Sequence, residues 1–284
     1  ADAATDDLDT INGGADGYFL ILRPNNTARA VVLRHDVGNI RCVGNANITL
    51  DDDHDIAILV YEGTLAKWLA LGLNTQVSRD GWSDPQETWT FASASTFTVP
   101  GDQTATYTFG TKLKMTQTSA KYFHVLSSSY SAPNTTVTVI VQTDYTIANA
   151  AISANFYSRQ DMPSGFPAQF VYTLVFTGFS ADPAGALARF SLAGRVCTVS
   201  IRMPNSGTSN TTGFTVTIPI TARTDAGMVW VGAMGAETDN GAFVTEGFYE
   251  VYSAGTTAIF YRSATVAWTA SGGKRADVTI VYAV

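Results

Sequence analysis

Phe214-Thr215-Val216-Thr217-Ile218-Pro219-Ile220 decides the fold class. Apolar side chains stand at 214, 216, 218 and 220, with Thr or Pro at each position between them. A repeat of two sends alternate side chains to opposite faces of an extended chain, so this stretch is a strand with one apolar face. The same alternation recurs along the chain. Cys197, Val199, Ile201 and Met203 alternate with Thr198, Ser200 and Arg202. Val137, Val139 and Val141 alternate with Thr138, Ile140 and Gln142, and Val278, Ile280, Tyr282 and Val284 repeat the pattern at the end. Each run is short and bounded by Gly, Asn, Asp, Ser or Pro, as in sandwiches and jelly rolls. One stretch, Leu65 with Leu69 and Gly72 or Leu73, carries a weak helical spacing. The chain reads as all-β.

Composition agrees and narrows the function classes. Of 284 residues 45% are hydrophobic, enough for buried cores, and only 14% are charged. Thr, Ser, Asn and Gly fill the polar quota, the usual surface of an extracellular or virion β protein. A net charge of −7 from 17 basic and 24 acidic residues offers no concentrated basic patch, so no nucleic-acid partner is expected. No apolar run reaches the roughly 18 residues of a membrane helix. The first residues, Ala1-Asp2-Ala3-Ala4-Thr5-Asp6-Asp7, lack the basic and apolar regions of a signal peptide, and none is expected. Cys42 and Cys197 lie far apart in apolar–polar alternation, and two buried free thiols are the favoured reading over a disulfide.

Texture divides the chain into three small antiparallel β modules. Residues 1–74 form an N-terminal unit, prism-like or a sandwich, with strands near Tyr18–Leu22, Ala30–Leu33, Ile40–Val43 and Ile56–Tyr61. Residues 75–168 form a middle unit with strands near Thr88–Val99, Thr104–Thr116, Tyr122–Ser127 and Thr135–Gln142. It ends at Met162-Pro163-Ser164-Gly165-Phe166-Pro167, which cannot continue a ladder. Residues 169–284 form a C-terminal, jelly-roll-like sandwich that opens with a hairpin turning at Ala193-Gly194.

No constellation carries catalysis. Asp51-Asp52-Asp53-His54-Asp55 has oxygen and imidazole ligands for a cation. It lacks the glycine and the later glutamate of an EF-hand and sits where a hairpin loop belongs, so a solvated turn is expected and no metal. Arg34-His35-Asp36 has two triad residue types but no nucleophile elbow, and His35, His54 and His124 read as structural. Asp84 with Glu87, Glu237 with Asp239, and Glu246 with Glu250 are unexceptional as glycosidase pairs. No cofactor site and no catalytic residue are assigned, and the chain is not expected to be an enzyme. Among many aromatics, most of which belong in cores, Trp82, Tyr249 and Trp268 are the candidates for partial exposure and receptor contact, since rings beside polar groups hold sugars or proteins.

A resemblance covers nearly the whole chain. Residues 9–23, Asp-Thr-Ile-Asn-Gly-Gly-Ala-Asp-Gly-Tyr-Phe-Leu-Ile-Leu-Arg, resemble a module of tailed-bacteriophage tail fibres and virion appendages, continued in Val31-Val32-Leu33, Gly38-Asn39-Ile40, Leu50-Asp51, Leu59-Val60-Tyr61 and Trp68. The middle stretch is similar to phage structural proteins in Asp80-Gly81-Trp82, in residues 87–95, in residues 112–118 and in Ser131-Ala132-Pro133-Asn134. The last unit is similar through Gly207-Thr208-Ser209-Asn210, Phe214–Ile220 and Asp239-Asn240-Gly241. The resemblance implies a homotrimer on the virion surface that touches other tail or capsid proteins and a host glycan or protein. A tail fibre that attaches to the host is the first expectation. A capsid decoration or head-fibre protein is the alternative, and a polysaccharide depolymerase is remote.

Threefold association has a physical motive as well. A unit of residues 1–74 is too small to be comfortable alone, and its runs Tyr18–Leu22 and Ile56–Tyr61 are apolar on both faces. Phe19, Ile21, Ile56, Ile58 and Val60 are the candidate trimer-interface residues.

Overall fold

The computed structural model describes residues 5–25, 29–43, 45, 47–51, 55–73, 81–235 and 237–284. The fold is all-β: strands joined by turns, with no helix among the described residues. None of these residues forms a helix long and apolar enough to cross a membrane. The chain divides into two compact units, Ala1–Ser83 and Asp84–Val284.

The first unit holds β1 (Thr5–Leu8), β2 (Phe19–Leu22), β3 (Ala30–Leu33), β4 (Ile40–Cys42), β5 (Ile48–Leu50), β6 (Ile56–Glu62) and β7 (Lys67–Leu73). They form one sheet in the order β1-β3-β5 and another in the order β2-β6-β7-β4. Two pairings, β1 with β3 and β4 with β7, are parallel. Leu33, Ile48 and Leu50 from the first sheet meet Ile40, Cys42, Ala57, Leu59, Trp68 and Ala70 from the second in a common core. The helical spacing beginning at Leu65 is overridden by a hairpin. The Glu62 carboxylate accepts the Thr64 and Leu65 N–H groups at 3.2 and 2.5 Å, closing the turn, and residues 67–73 then run antiparallel to β6. A local cap thus commits the chain before helical periodicity can act.

The second unit begins with β8 (Thr90–Ser93), β9 (Thr96–Pro100), β10 (Lys112–Thr116), β11 (Ala120–Ser131), β12 (Asn134–Val139) and β13 (Ser153–Ser158). Their order is β13-β10-β11-β12-β9-β8. The run 88–99 is thus two strands, not one. Ser93 Oγ and Thr96 Oγ1 lie 2.7 Å apart, and the Ser95 N–H donates to Ser93 Oγ, so the serines make a tight reversal where alternation alone reads straight through. Trp89, Phe97, Tyr107, Leu113, Met115, Phe123, Val125, Val137 and Val139 form the core beneath this sheet. The polar ends of its rings are satisfied in series: the Trp89 indole donates to the Tyr107 hydroxyl, which donates to Glu87.

Thirteen further strands follow among the described residues. These are β14 (Phe170–Tyr172), β15 (Phe176–Thr177), β16 (Phe179–Ala181), β17 (Leu187–Ala193), β18 (Val196–Ser206), β19 (Thr208–Ser209), β20 (Phe214–Thr217), β21 (Val229–Ala233), β22 (Glu237–Asp239), β23 (Ala242–Val244), β24 (Phe248–Tyr252), β25 (Thr257–Tyr261) and β26 (Lys274–Ala283). One sheet runs β14-β17-β18-β26-β22-β23, a second β15-β20-β25-β24-β21, and β16 pairs with β19. Cys197, Val199, Ile201 and Met203 on β18 are all buried, as are Val278, Ile280 and Tyr282 on β26. Hydroxyls tie the two large sheets together. Tyr172 donates to the Thr217 carbonyl at 3.1 Å, Tyr282 donates to the Ile220 carbonyl at 2.8 Å, and the Val281 N–H donates to Tyr249 at 3.2 Å.

Residues 159–169 contain no strand, as the proline pair predicts, yet they do not part the second unit. Phe166 and Phe170 place their ring centroids 4.9 and 5.6 Å from that of His124 on β11, and Phe170 lies 5.7 Å from Phe190 on β17. This chain of rings makes one body of the two sheet systems. Phe170→Ala should therefore cost about 3–5 kcal/mol in urea unfolding of the full chain, the range for a buried aromatic cut to Ala. A loss below about 1 kcal/mol would show that the rings do not carry the junction.

Candidate functional site

The sheet β2-β6-β7-β4 has two apolar faces. Leu59 and Ala57 of β6 and Trp68 and Ala70 of β7 point into the core. The opposite face is built by register: Phe19 pairs with Val60, Ile21 with Ile58, Val60 with Leu69 and Ile58 with Leu71. Side chains directly opposite in a ladder share a face, so all five candidate interface residues stand together with Leu69 and Leu71. They lie open: Phe19 is 60% exposed, Ile21 56%, Leu71 46%, Val60 41% and Ile56 36%, with Ile58 half-buried. Charge borders this face where Arg41, directly opposite Leu69, and Lys67, opposite Glu62, pair with Asp36. These cations hold the Asp36 carboxyl below the usual carboxylate range. In the sequence Leu69 reads as part of a helical spacing with Leu65, and that spacing hides the alternation that sets Leu69 and Leu71 on this face.

The three aromatics expected to be partly exposed are corrected by the structure. Trp82 is 1% exposed, Tyr249 4% and Trp268 2%. Trp268 donates its indole N–H to the Phe260 carbonyl at 3.0 Å and packs 5.2 Å from Phe214. Tyr249 stands on the inward face of β24. A neighbouring turn residue does not expose a large ring when the strand's alternation turns it inward. The ring that is open is Phe243 on the edge strand β23, 82% exposed and the most exposed large apolar side chain among the described residues. Its signal was the turn Asn240-Gly241, with φ of 52° and 84°, which lifts the following residues to a sheet edge.

The histidines are used structurally. His35 Nδ1 accepts the Cys42 N–H at 3.1 Å, which leaves that nitrogen without a catalytic proton to move. His124 is 4% exposed among Phe166 and Phe170, and burial pushes its pKa down to about 4. His54, with Asp52 and Asp53, lies outside the described residues, while Asp55 is buried and accepts the Asp51 N–H at 3.0 Å. Among the described residues no group of three His, Cys, Asp or Glu is placed to hold a metal ion. Cys42 and Cys197 are both buried free thiols, and burial pushes Cys197 up to about 11, away from the reactive thiolate.

Glu237 and Asp239 share the inward face of β22 and differ sharply in environment. Burial pushes Asp239 up, but the Thr269 backbone N–H and hydroxyl together with the Lys274 ammonium, 3.0 Å away, hold it below the usual carboxylate range. Burial pushes Glu237 up to about 7, against a single hydrogen bond from the Gly247 backbone. Such a divergence marks acid–base pairs, yet at 2% and 6% exposure neither carboxyl can meet a polysaccharide. They are interior groups. Because the folded pKa of Glu237 lies above its ordinary 4.5, its contribution to stability is whole below about pH 4.5 and lost as pH rises through about 7. Urea unfolding at pH 5 and pH 8 should show this decline, and Glu237→Gln should remove it. An identical pH dependence in both proteins would overturn the assignment. No protein-family model, no curated protein and no solved structure matches this chain.

Proposed function

We propose that this chain is a structural protein of a bacteriophage virion, a homotrimeric surface appendage of the tail-fibre type that mediates attachment to the host. The observation that carries the reading is the open apolar face of the β2-β6-β7-β4 sheet. Contiguous apolar area of this kind on a sheet marks an interaction surface. Its Arg41 and Lys67 are matched by Asp36, so a second copy of the same face is a fitting cover for the apolar side chains. Closed cyclic association covers it in every copy and stops the contact from propagating. The count of three, and the virion setting, follow from the resemblance of residues 9–68 to appendage modules. The Thr- and Ser-rich outward positions of the second unit suit a particle surface.

The full chain should sediment at three times its 30.2 kDa mass at micromolar concentration. Ile21→Asp and Val60→Asp, at positions already half open, should give folded monomers, because an unpaired carboxylate buried in the contact is costly. Antibodies to the chain should label intact virions and block adsorption. A wild-type monomer, or virions that bind no antibody, would overturn the proposal.

A further inference from the structure

At the edge of the C-terminal sandwich a shallow cleft of about 160 Å³ opens between Phe243–Glu246 and Arg262, Ser263 and Val266. It runs into a second cleft of about 330 Å³, lined by the same Arg262, Ser263 and Val266 and reaching Trp268. Three features make this groove a built site. Phe243 offers an apolar ring face that nothing covers. Arg262 is held from beneath: its Nε lies 3.2 Å from Asp239 Oδ2 without the alignment of a hydrogen bond, and Asp239 is itself fixed by Thr269 and Lys274. Lys274 is fully buried, its ammonium also donating to the Ser271 carbonyl at 2.7 Å. Two cations therefore share one carboxylate, which leaves the guanidinium lining the groove only partly neutralised by Asp239, a fork suited to a carboxylate. Glu246 and Ser263 add an acceptor and a hydroxyl on the rim.

We propose that this groove binds a carboxylate-bearing sugar residue, its ring stacked on Phe243, its carboxylate on Arg262 and its hydroxyls on Glu246 and Ser263. The apolar ring face selects a pyranose, and the supported guanidinium selects an acidic one. This rests on the attachment reading and gives it a ligand class.

The test is titration of the full chain with methyl β-D-glucuronide and with methyl β-D-glucoside, followed by NMR. The glucuronide should bind at least about tenfold more tightly, as one hydrogen-bonded charge provides. Arg262→Gln should erase that preference. Phe243→Ala, at a site too exposed to unfold the chain, should weaken both sugars about tenfold. Equal binding of the two sugars, binding of neither, or an unchanged Phe243→Ala would overturn the site. Acetate binding as well as the glucuronide would remove the sugar from the proposal. The measured mass is read separately: a trimer indifferent to glucuronide refutes this site alone, and a monomer that binds it refutes the trimer alone.

Discussion

A strand that is apolar on both faces must be covered twice, and much else in the first unit follows from that constraint. β6 turns Ala57 and Leu59 to one side and Ile56, Ile58 and Val60 to the other. The three-stranded sheet β1-β3-β5 covers the first side, and among the described residues no further sheet of this unit covers the second. The strands of the second unit solve the problem differently. β18 and β20 place Thr, Ser or Arg on the face away from the core, so one partner sheet completes them. Those two strands are thus completed by one partner sheet, whereas β6 keeps an open apolar side. That asymmetry, more than any single residue, is why the first unit is read as the place where copies meet.

The strand alternation was legible because burial enforces it: a slip of one residue would turn every apolar side chain of β18 to the wrong face. What was not legible depends on contacts beyond the local period. The reversal at Ala94-Ser95 rests on serine hydroxyls that a periodicity reading treats as mere polar positions. The hairpin before β7 rests on a carboxylate accepting two backbone donors, a bond that leaves no trace in hydrophobic spacing. The misplacement of Tyr249 and Trp268 has the same root. Their sequence neighbours suggest loops, whereas their burial is set by strands from far along the chain, such as those of Phe214 and Val281. The five face residues could be named beforehand because both of their runs lacked any polar alternation, a local property.

The junction at residues 159–169 shows a further limit of local reading. Pro163 and Pro167 do stop the ladder there, and in sequence that looks like a boundary between bodies. Tertiary packing reverses the sense of the signal. With no ladder to join, the segment sends Phe166 onto His124, where it meets Phe170, the first residue of β14 and the ladder partner of Phe190, so a break in hydrogen bonding is bridged by rings. The neutral state forced on His124 by the same burial keeps that bridge free of an uncompensated charge.

The edge hairpin β22–β23 raises the opposite problem, since three-residue strands have too few apolar contacts to fix their own register. Asp239 lies directly opposite Lys274 in the ladder with β26, and the two are joined at 3.0 Å. A buried pair of this sort adds little net stability once desolvation is counted, but a slipped register would leave an unpaired ammonium in the core, which is far more costly. The pair therefore acts chiefly by exclusion, selecting one alignment of β22 against β26. The turn Asn240-Gly241 then carries that alignment to β23 and so sets where Phe243 stands. Since the same carboxylate supports Arg262, one buried ion pair places both the ring and the cation at the groove. Their separation is consequently a property of the strand register and not of two independent loops.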